Sequence, residues 1–437
     1  MIRKDAFIMI DIIKNALKEA EIKTWRINEK KEHTAEVFFI RRRQDMRRIR
    51  DTHKYNVEVF CDYEKDGKPM RGRSQVTIVP SQSEQEVLTL LKEAKHAASF
   101  AGNPYYELPE KQACEPIAAA GSLAEVSAEE AAKRFAAALF AADNDPRAFV
   151  NSAEIFSKQV KTRILGDNGT DVCYYKNDVD GEFVVQCKEP EDVEVYHAFG
   201  YDNLNCDALR EKVTTALREV ADRAIARAEL PSGTYNLILS GENAAEVLSY
   251  YIARSSAGMV YPGYSTWKVG TDVQPEMKDG ERLNMTLRAK VPFSSEAIPM
   301  KDRSVIADGK VETLHGGARM SYYLGIEPTG DYSAYSCENG SVSFEEMKKE
   351  PYLYAVTFSD FQMDTMSGHF GGEIRLAYLF DGERVRIVTG GSVNGSINAC
   401  SGGMKFTTER YDSKNYSGPF AVMLPGVRVA GSLAEQE

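Results

Sequence analysis

The amino-acid pattern of this 437-residue chain changes character at residues 230–233, which read Leu-Pro-Ser-Gly. Before this segment, amphipathic helical stretches alternate with strand-like runs. After it, one helix at about residues 242–256 is followed by frequent glycines and short strands. Proline and glycine interrupt regular structure, so this segment is the best candidate for a domain boundary. The pattern predicts an α+β protein with an N-terminal mixed α/β domain (1–230) and a β-rich C-terminal domain with one central helix (231–437).

Length and composition agree with a globular protein of two cores. Hydrophobic residues make up 43% of the chain and charged residues 27%. No window approaches about 18 uninterrupted apolar residues, so no transmembrane helix is predicted. Near the N-terminus, Ile10, Ile13 and Leu17 recur at helical spacing while Asp11 and Lys14 interrupt the apolar run. This stretch is interpreted as an amphipathic helix and not as an export signal.

The first half contains several predicted strands and two helices with recognisable starts. Residues rich in β-branched and aromatic side chains occupy 34–41, 55–62 and 72–79, and a second set spans about 159–196. In that second set, Asp-Asn-Gly at 167–169 and Asp-Gly at 180–181 are interpreted as turns. The helices are predicted from N-terminal caps, each a serine followed three residues later by a glutamate: Ser83 with Glu86, and Ser127 with Glu130.

The cysteines indicate a reducing compartment. They are odd in number, scattered, and never form a C-x-x-C pair, which fits neither a disulfide framework nor a structural zinc site. Free thiols in the cytoplasm are the expectation. The seven positions are Cys61, Cys114, Cys173, Cys187, Cys206, Cys337 and Cys400.

The charge balance argues against nucleic-acid and membrane partners. The net charge is −11 and the sequence pI is near 5.3, so the surface as a whole repels phosphate. One local exception is RRRQDMRRIR, which places six arginines between Arg41 and Arg50. Because strand-like runs flank it on both sides, these arginines are interpreted as the solvent side of a hairpin.

Two groups of residues in the second half could carry chemistry. His369 and Glu373 lie four apart in SGHFGGEIR, which places them on one side of a strand that the glycines predict to be bulged. His315 lies at a glycine-rich turn, with Arg319 beyond it. Neither group has a third metal ligand at a suitable spacing. These residues, together with Arg375, are candidates for lining a substrate cavity.

The segments of the chain, taken in order, resemble the TldD/PmbA family, and more closely its PmbA (TldE) branch. The first half shows RGRSQVTIVP and the loop NPYYELP. The middle shows LILSGENAAEVLSYYIA. The last part shows GKVETLHGGARMSYYLG, SDFQMDTMSGHFGGEIRLAYLFDGERV, GGSVNGSI and GPFAVMLPGVRVAG. The resemblance covers most of the chain and implies a peptidase-associated protein; some members carry the label modulator of DNA gyrase.

In the TldD branch the central helix carries an H-E-x-x-x-H zinc motif, and a downstream cysteine adds a ligand. The resemblance places Ser249, Tyr250 and Arg254 at the motif positions. A serine is a poor zinc ligand, a tyrosine is a poor base at neutral pH, and an arginine repels the cation. The downstream cysteine would fall near residues 412–414, where there is none, and Cys400 lies too early. The expectation is therefore no catalytic residue, no metal and no cofactor.

Three hypotheses follow. The first is a non-catalytic subunit that pairs with a TldD-like zinc metallopeptidase and helps to degrade or mature small unfolded peptides. The second is a free-standing hydrolase with a relocated site around His369, Glu373 and His315. The third is a homodimeric peptide-binding scaffold. A complex with a TldD-type subunit would distinguish the first from the others, and a loss of partner-free activity in His369→Ala would support the second.

Overall fold

The computed structural model describes residues 2–432, with side chains from Met9 onward. The last five residues of the predicted C-terminal domain, 433–437, lie outside the described residues. Three sheets and their covering helices make up the described part, which confirms the predicted α+β class. No helix in this range is long and apolar enough to cross a membrane.

The first sheet is antiparallel, with strand order β3-β2-β1-β4-β5-β6. Its strands are β1 Thr24–Ile40, β2 Arg43–Lys65, β3 Lys68–Ile78, β4 Ala148–Gly166, β5 Asp171–Cys187 and β6 Val193–Tyr201. The helices of this half are α1 Ile2–Glu19, α2 Glu84–Ala98, α3 Ala128–Ala142 and α4 Cys206–Ile225, with a short 3₁₀ turn at Ser122–Glu125. The sequence predicted most of these strands too short, above all β2, which has 23 residues where the prediction covered 55–62.

The helices cover one face of this sheet because the strands alternate apolar and polar side chains. Helices α1 and α2 pack on β1–β3 through a cluster that includes Leu17, Leu91 and Val57. Helices α3 and α4 pack on β4–β6 through a second cluster around Phe135 and Phe183. Both predicted caps are present. The Ser83 backbone N–H donates to Glu86 at 2.7 Å, and the Glu130 N–H donates to the Ser127 hydroxyl at 3.2 Å.

One predicted turn is wrong. Residues 180–181 lie inside β5, where Gly181 pairs with Ile155 on one side and Phe199 on the other. A Cβ at Gly181 would lie 2.3 Å from the Phe199 ring and 2.6 Å from the Glu154 carbonyl oxygen. The glycine is therefore needed for close packing within a strand and not for chain reversal. The turn at 167–169 is confirmed, since it joins β4 to β5.

The second half contains the other two sheets. Its strands are β7 Gly233–Ser240, β8 Met285–Leu287, β9 Arg303–Ala307, β10 Lys310–Val311, β11 Tyr335–Cys337, β12 Tyr352–Met363, β13 His369–Phe380, β14 Val385–Val388, β15 Ser392–Ser396, β16 Lys405–Phe406, β17 Arg410–Asp412, β18 Tyr416–Pro419 and β19 Ala421–Ala430. Its helices are α5 Gly241–Arg254, α6 Ala257–Val260, α7 Ala318–Leu324, α8 Phe344–Met347 and α9 Ile397–Cys400, followed by a 3₁₀ turn at Ser401–Gly403.

Five of these strands close into a barrel. The pairing runs β12-β7-β19-β15-β13, and β13 pairs again with β12. A mixed sheet of order β10-β9-β8-β11-β18-β17 lies beside the barrel. At 14 residues α5 is the longest helix of this half, and the others have four to seven, so the prediction of one central helix is confirmed.

Polar contacts join the two halves. The Tyr378 hydroxyl donates to Asp222 at 2.8 Å, and Lys414 bonds Asp180 at 2.9 Å. Arg26 reaches Glu296 at 3.5 Å. The boundary at residues 230–231 stays a prediction, although β7 begins within three residues of it.

The contact between α4 and the barrel contains a carboxyl group that should make stability depend on pH. Burial, with a smaller effect of the Asp222 charge, raises the pKa of Glu219 from 4.5 to about 7. The folded protein then binds this proton more tightly than the unfolded chain, so the contribution to stability is present below about pH 4.5 and is lost as the pH rises to 7.

We expect Glu219→Gln to be more stable relative to wild type at pH 8 than at pH 5, by roughly 2 kcal/mol. Urea unfolding at the two pH values measures this difference. Glu211→Gln, at an exposed position of the same helix, is the control and should show no such change. An equal effect of Glu219→Gln at both pH values would contradict the prediction.

Candidate functional site

Helix α5 lies against the core of the barrel half. Strand β7 leads into it through Ser240, and Gly241 adopts a φ of +55°, a conformation that favours glycine at this sharp entry. Its buried face includes Val247, Leu248 and Tyr251, which belong to the largest apolar cluster of this half. The helix thus presents its remaining face, with its last turn, to the loops around residues 261–267 and 364–369.

The structure brings Tyr250 and Arg254 together on α5 and leaves Ser249 aside. Tyr250 is 3% exposed, and its hydroxyl donates to the Asn398 side-chain oxygen at 3.1 Å. Its ring meets Trp267 edge-on, with centroids 5.8 Å apart. Ser249 is only partly buried and donates back to the Glu246 carbonyl at 2.7 Å, a local helix bond.

Arg254 ends the helix and joins two loops. Its Nη1 donates to the carbonyl oxygens of Tyr264 and Met366, the latter at 3.1 Å. The guanidinium carbon lies 5.9 Å from the Tyr250 ring centroid and 5.8 Å from that of Trp267. A cation at a helix C-terminus is also favoured by the helix dipole.

His315 is a buried residue that supports the end of α5. Its Nε2 lies 3.0 Å from the Ile252 carbonyl, and the neighbouring backbone bonds run from His315 N to Ser255 O and from Ala257 N to His315 O. Burial lowers the pKa of His315, so the ring is neutral at pH 7 and donates from Nε2. His315 holds the helix end in place and is only 5% exposed.

The residues at the motif positions of α5 do not fit a zinc ion. A hydrogen-bonded tyrosine and a guanidinium supply no imidazole, thiolate or carboxylate, and the positive charge opposes a cation. Within residues 9–432, no three His, Cys, Asp or Glu side chains lie close enough together to share a metal. The segment that contacts Tyr250 is α9, which carries Asn398 and the buried Cys400. Lys414, from residues 412–414 where the resemblance would place a cysteine ligand, bonds Asp180 of the first sheet instead.

His369 and Glu373 do not form a joint site. Both are exposed on β13, and four residues along a strand separate them by about 13 Å. His369 contacts the Ser367 hydroxyl at 3.1 Å, whereas Glu373 pairs with Arg375 at 3.0 Å. The register shift beside the glycines places the extra residue on β12, between Phe358 and Phe361 and opposite Glu373. Residues 369–373 of β13 pair with β15 without a shift, so the bulge predicted at these glycines lies on the neighbouring strand.

Arg319 lies elsewhere, at the contact between the halves. It is on α7, and its Nη1 donates to Asn103 of the loop NPYYELP at 2.8 Å. Tyr323 of the same helix donates to the Pro104 carbonyl at 2.6 Å. Among the five residues proposed to line a substrate cavity, the described contacts join only Glu373 and Arg375. Their role in lining a cavity stays a prediction.

The arginine run lies exposed on the β1–β2 hairpin, as the sequence predicted, and most of it is paired. Arg48 and Arg50 both bind Glu36, which is 1% exposed. Arg42 binds Asp143 at 3.0 Å. Arg41 lies over the Phe149 ring at 3.3 Å. These contacts reduce the positive potential that a phosphate backbone would meet.

Sequence reasoning missed four residues that surround the end of α5. Trp267 and Asn398 contact Tyr250, while Tyr264 and Met366 bind Arg254 by their carbonyls. Met366 lay in a segment noted for the family resemblance, but nothing in its spacing pointed to Arg254. Backbone carbonyls carry no sequence signal, so this arrangement needed the fold.

Comparison with known proteins agrees with this architecture. Residues 232–432 match the family described as PmbA/TldA metallopeptidase C-terminal domain. No curated protein matches the chain. Among solved structures, TldE from Thermococcus kodakarensis superposes with a TM-score of 0.74 at 15% identity, covering 96% of this chain and 100% of that one.

Two further structures are designated candidate modulators of DNA gyrase. The Thermotoga maritima protein has a TM-score of 0.73 at 17% identity, covering 97% of this chain and 100% of that one. The Bacteroides thetaiotaomicron protein has a TM-score of 0.75 at 15% identity, covering 97% and 98%. At such identities the likeness shows a common fold over nearly the whole chain. Residues 232–432 are therefore similar to a PmbA/TldA metallopeptidase C-terminal domain.

Proposed function

We propose that this protein is a non-catalytic, metal-free subunit that pairs with a TldD-type zinc metallopeptidase and helps it to degrade or mature small unfolded peptides. The observation that carries the proposal is the pair of residues on α5. Tyr250 is buried on Asn398, and the Arg254 guanidinium occupies the last turn. This arrangement supports a protein that keeps the fold but has lost the metal site on α5.

The fold offers surfaces on which an unfolded peptide could bind. Strand β17 ends the mixed sheet and pairs only with β18 among the described strands, so it has a free edge for main-chain hydrogen bonds. Exposed tyrosines near the end of α5, Tyr261 and Tyr264, add apolar contact area. A cytoplasmic location is part of the proposal and rests on the unpaired pattern of the cysteines.

The charge distribution supports peptide and protein partners over nucleic acid. The net charge of −11 repels phosphate, and Arg42, Arg48 and Arg50 are already bound to carboxylates. The gyrase-modulator designation of two similar structures therefore does not lead us to propose direct DNA contact. No described contact supports a relocated hydrolase site. A sizing-column experiment distinguishes the homodimeric scaffold from the proposed function.

The proposal predicts a complex on a sizing column. Mixed with a TldD-type subunit that carries an intact H-E-x-x-x-H motif, this protein should elute with it in one peak of larger size than either alone. Metal analysis of this protein alone should give far less than one zinc per chain. Separate elution at micromolar concentrations, with this protein remaining a homodimer, would favour the scaffold and contradict the proposal. Stoichiometric zinc would contradict it as well.

A further inference from the structure

Arg254 is a nearly buried cation without a carboxylate partner. Three arginines are more than nine-tenths buried among the described residues: Arg26, Arg71 and Arg254, the last 9% exposed. Arg26 binds Glu58 at 2.5 Å, and Arg71 binds Asp62 at 2.6 Å. For Arg254, no Asp or Glu oxygen of residues 9–432 lies within 4.0 Å. Buried charges in proteins are ordinarily paired, so this exception requires an explanation.

The guanidinium still has donors to offer. Nη1 is occupied by the carbonyl oxygens of Tyr264 and Met366. Nε is buried without any partner in the described part of the chain. Nη2 binds no described acceptor either, but it is not among the fully buried unpaired atoms, so it keeps some exposure to solvent. An anion that approaches Nη2 would meet a charged donor held in a fixed orientation.

The surroundings keep this charge in place and limit its hydration. The rings of Tyr250 and Trp267 lie within 6 Å of the guanidinium carbon, and the carbonyl end of α5 faces it. A cation preorganised in this way needs little further ordering to bind an anion. Such preorganisation raises affinity because less conformational entropy is lost.

The two residues whose carbonyls bind Nη1 carry exposed apolar side chains. The side chains of Tyr264 and Met366, whose carbonyls hold Nη1, are each 54% exposed, and Tyr261 nearby along the chain is 44% exposed. A cation bordered by exposed aromatic and thioether groups fits a ligand that carries a carboxylate next to an apolar side chain. A free phosphate would use the charge but not these apolar side chains.

We propose that Arg254 binds a carboxylate of an extended peptide, while Tyr264 and Met366 contact the adjacent apolar residue. The carboxylate belongs either to the C-terminus of the peptide or to an Asp or Glu side chain. This inference rests on the proposed peptide-binding role and adds a substrate preference to it. The preference is local, and it is opposite to what the net charge of −11 alone would favour.

A peptide series tests the inference on the wild-type chain. Four fluorescent, unstructured peptides share an apolar C-terminal segment. Two end in a free carboxylate and two in an amide, and within each pair one peptide has an internal Glu and the other a Gln. Removing the carboxylate that Arg254 binds should raise Kd about tenfold, which corresponds to about 1.4 kcal/mol. Loss on amidation assigns the terminal group, and loss on Glu-to-Gln exchange assigns the side chain. Equal affinities for all four peptides, or no binding of any, would overturn the inference.

Two variants connect the effect to the residue. Arg254→Met should reduce the preference for the carboxylate to less than about threefold, while Arg254→Lys should keep part of it because the charge remains. Arg134→Met removes an exposed arginine of α3, in the first half of the chain, and should bind as wild type does. Circular dichroism checks that each variant is folded. If Arg254→Met does not fold, the peptide series on the wild-type protein still tests the inference.

Failure of this inference and failure of the proposed function give different results. If the TldD-type complex forms and peptides bind without regard to their carboxylates, only the Arg254 inference fails. If carboxylate-dependent binding is seen but no complex forms, the pairing proposal fails and the site remains.

Discussion

Replacing Phe135 by alanine should lower the free energy of unfolding by about 3–5 kcal/mol. Phe135 is fully buried on α3, and its ring stacks on Tyr201 with centroids 5.7 Å apart and on Phe199 at 6.3 Å. Alanine would remove these contacts and leave a cavity that the packed sheet cannot readily close. Chemical denaturation followed by far-UV circular dichroism measures the loss.

A matched control is available in the same half of the chain. Phe100 is 73% exposed and touches only the His96 ring among the described aromatic residues. Phe100→Ala should change stability by no more than about 0.5 kcal/mol. If both variants lost the same amount, the assignment of Phe135 to the core would be wrong.

Glu58→Gln should cost about 3 kcal/mol, the second large effect. Glu58 is 3% exposed and binds both Arg26, at 2.5 Å, and Arg73. Removing the negative charge leaves the buried Arg26 with only the longer contact to Glu296 at 3.5 Å. The same change at Glu373, whose ion pair is exposed, should cost less than about 1 kcal/mol.

A double variant checks the cause of this loss. In Arg26→Met with Glu58→Gln, no unpaired buried arginine remains, so the combined loss should be smaller than the sum of the single losses. Simple additivity in urea denaturation would show that the buried ion pair is not the source.

The sequence predicted helices better than strands. The two capped helices follow from local serine–glutamate hydrogen bonds, which the sequence shows directly. Strand β1 begins ten residues before the start that the sequence predicted. The prediction missed residues 24–33 because they are largely polar. Their charges are balanced across the sheet, as in the pair of Glu32 with Arg50 at 3.3 Å. Such pairing with a neighbouring strand cannot be read from one segment of the sequence alone.

The candidate site was predictable in its position but not in its contacts. The family resemblance pointed to Tyr250 and Arg254, and the structure brings both to one turn of α5. The partners of Arg254 are backbone carbonyl oxygens from loops 10 and 112 residues away. No residue type predicts such a contact. The proposed grouping of His369 with His315 depended on tertiary proximity, and their contacts lie with Ser367 and Ile252 instead.

The most direct test of the proposed function is cleavage of an unstructured peptide by this protein alone, by the TldD-type subunit alone and by the two mixed. We predict no cleavage by this protein alone and strong cleavage by the mixture. A partner whose motif glutamate is replaced by glutamine should still bind but should not cleave, because the catalytic residues belong to the partner. Chelator-sensitive cleavage by this protein alone would contradict the account.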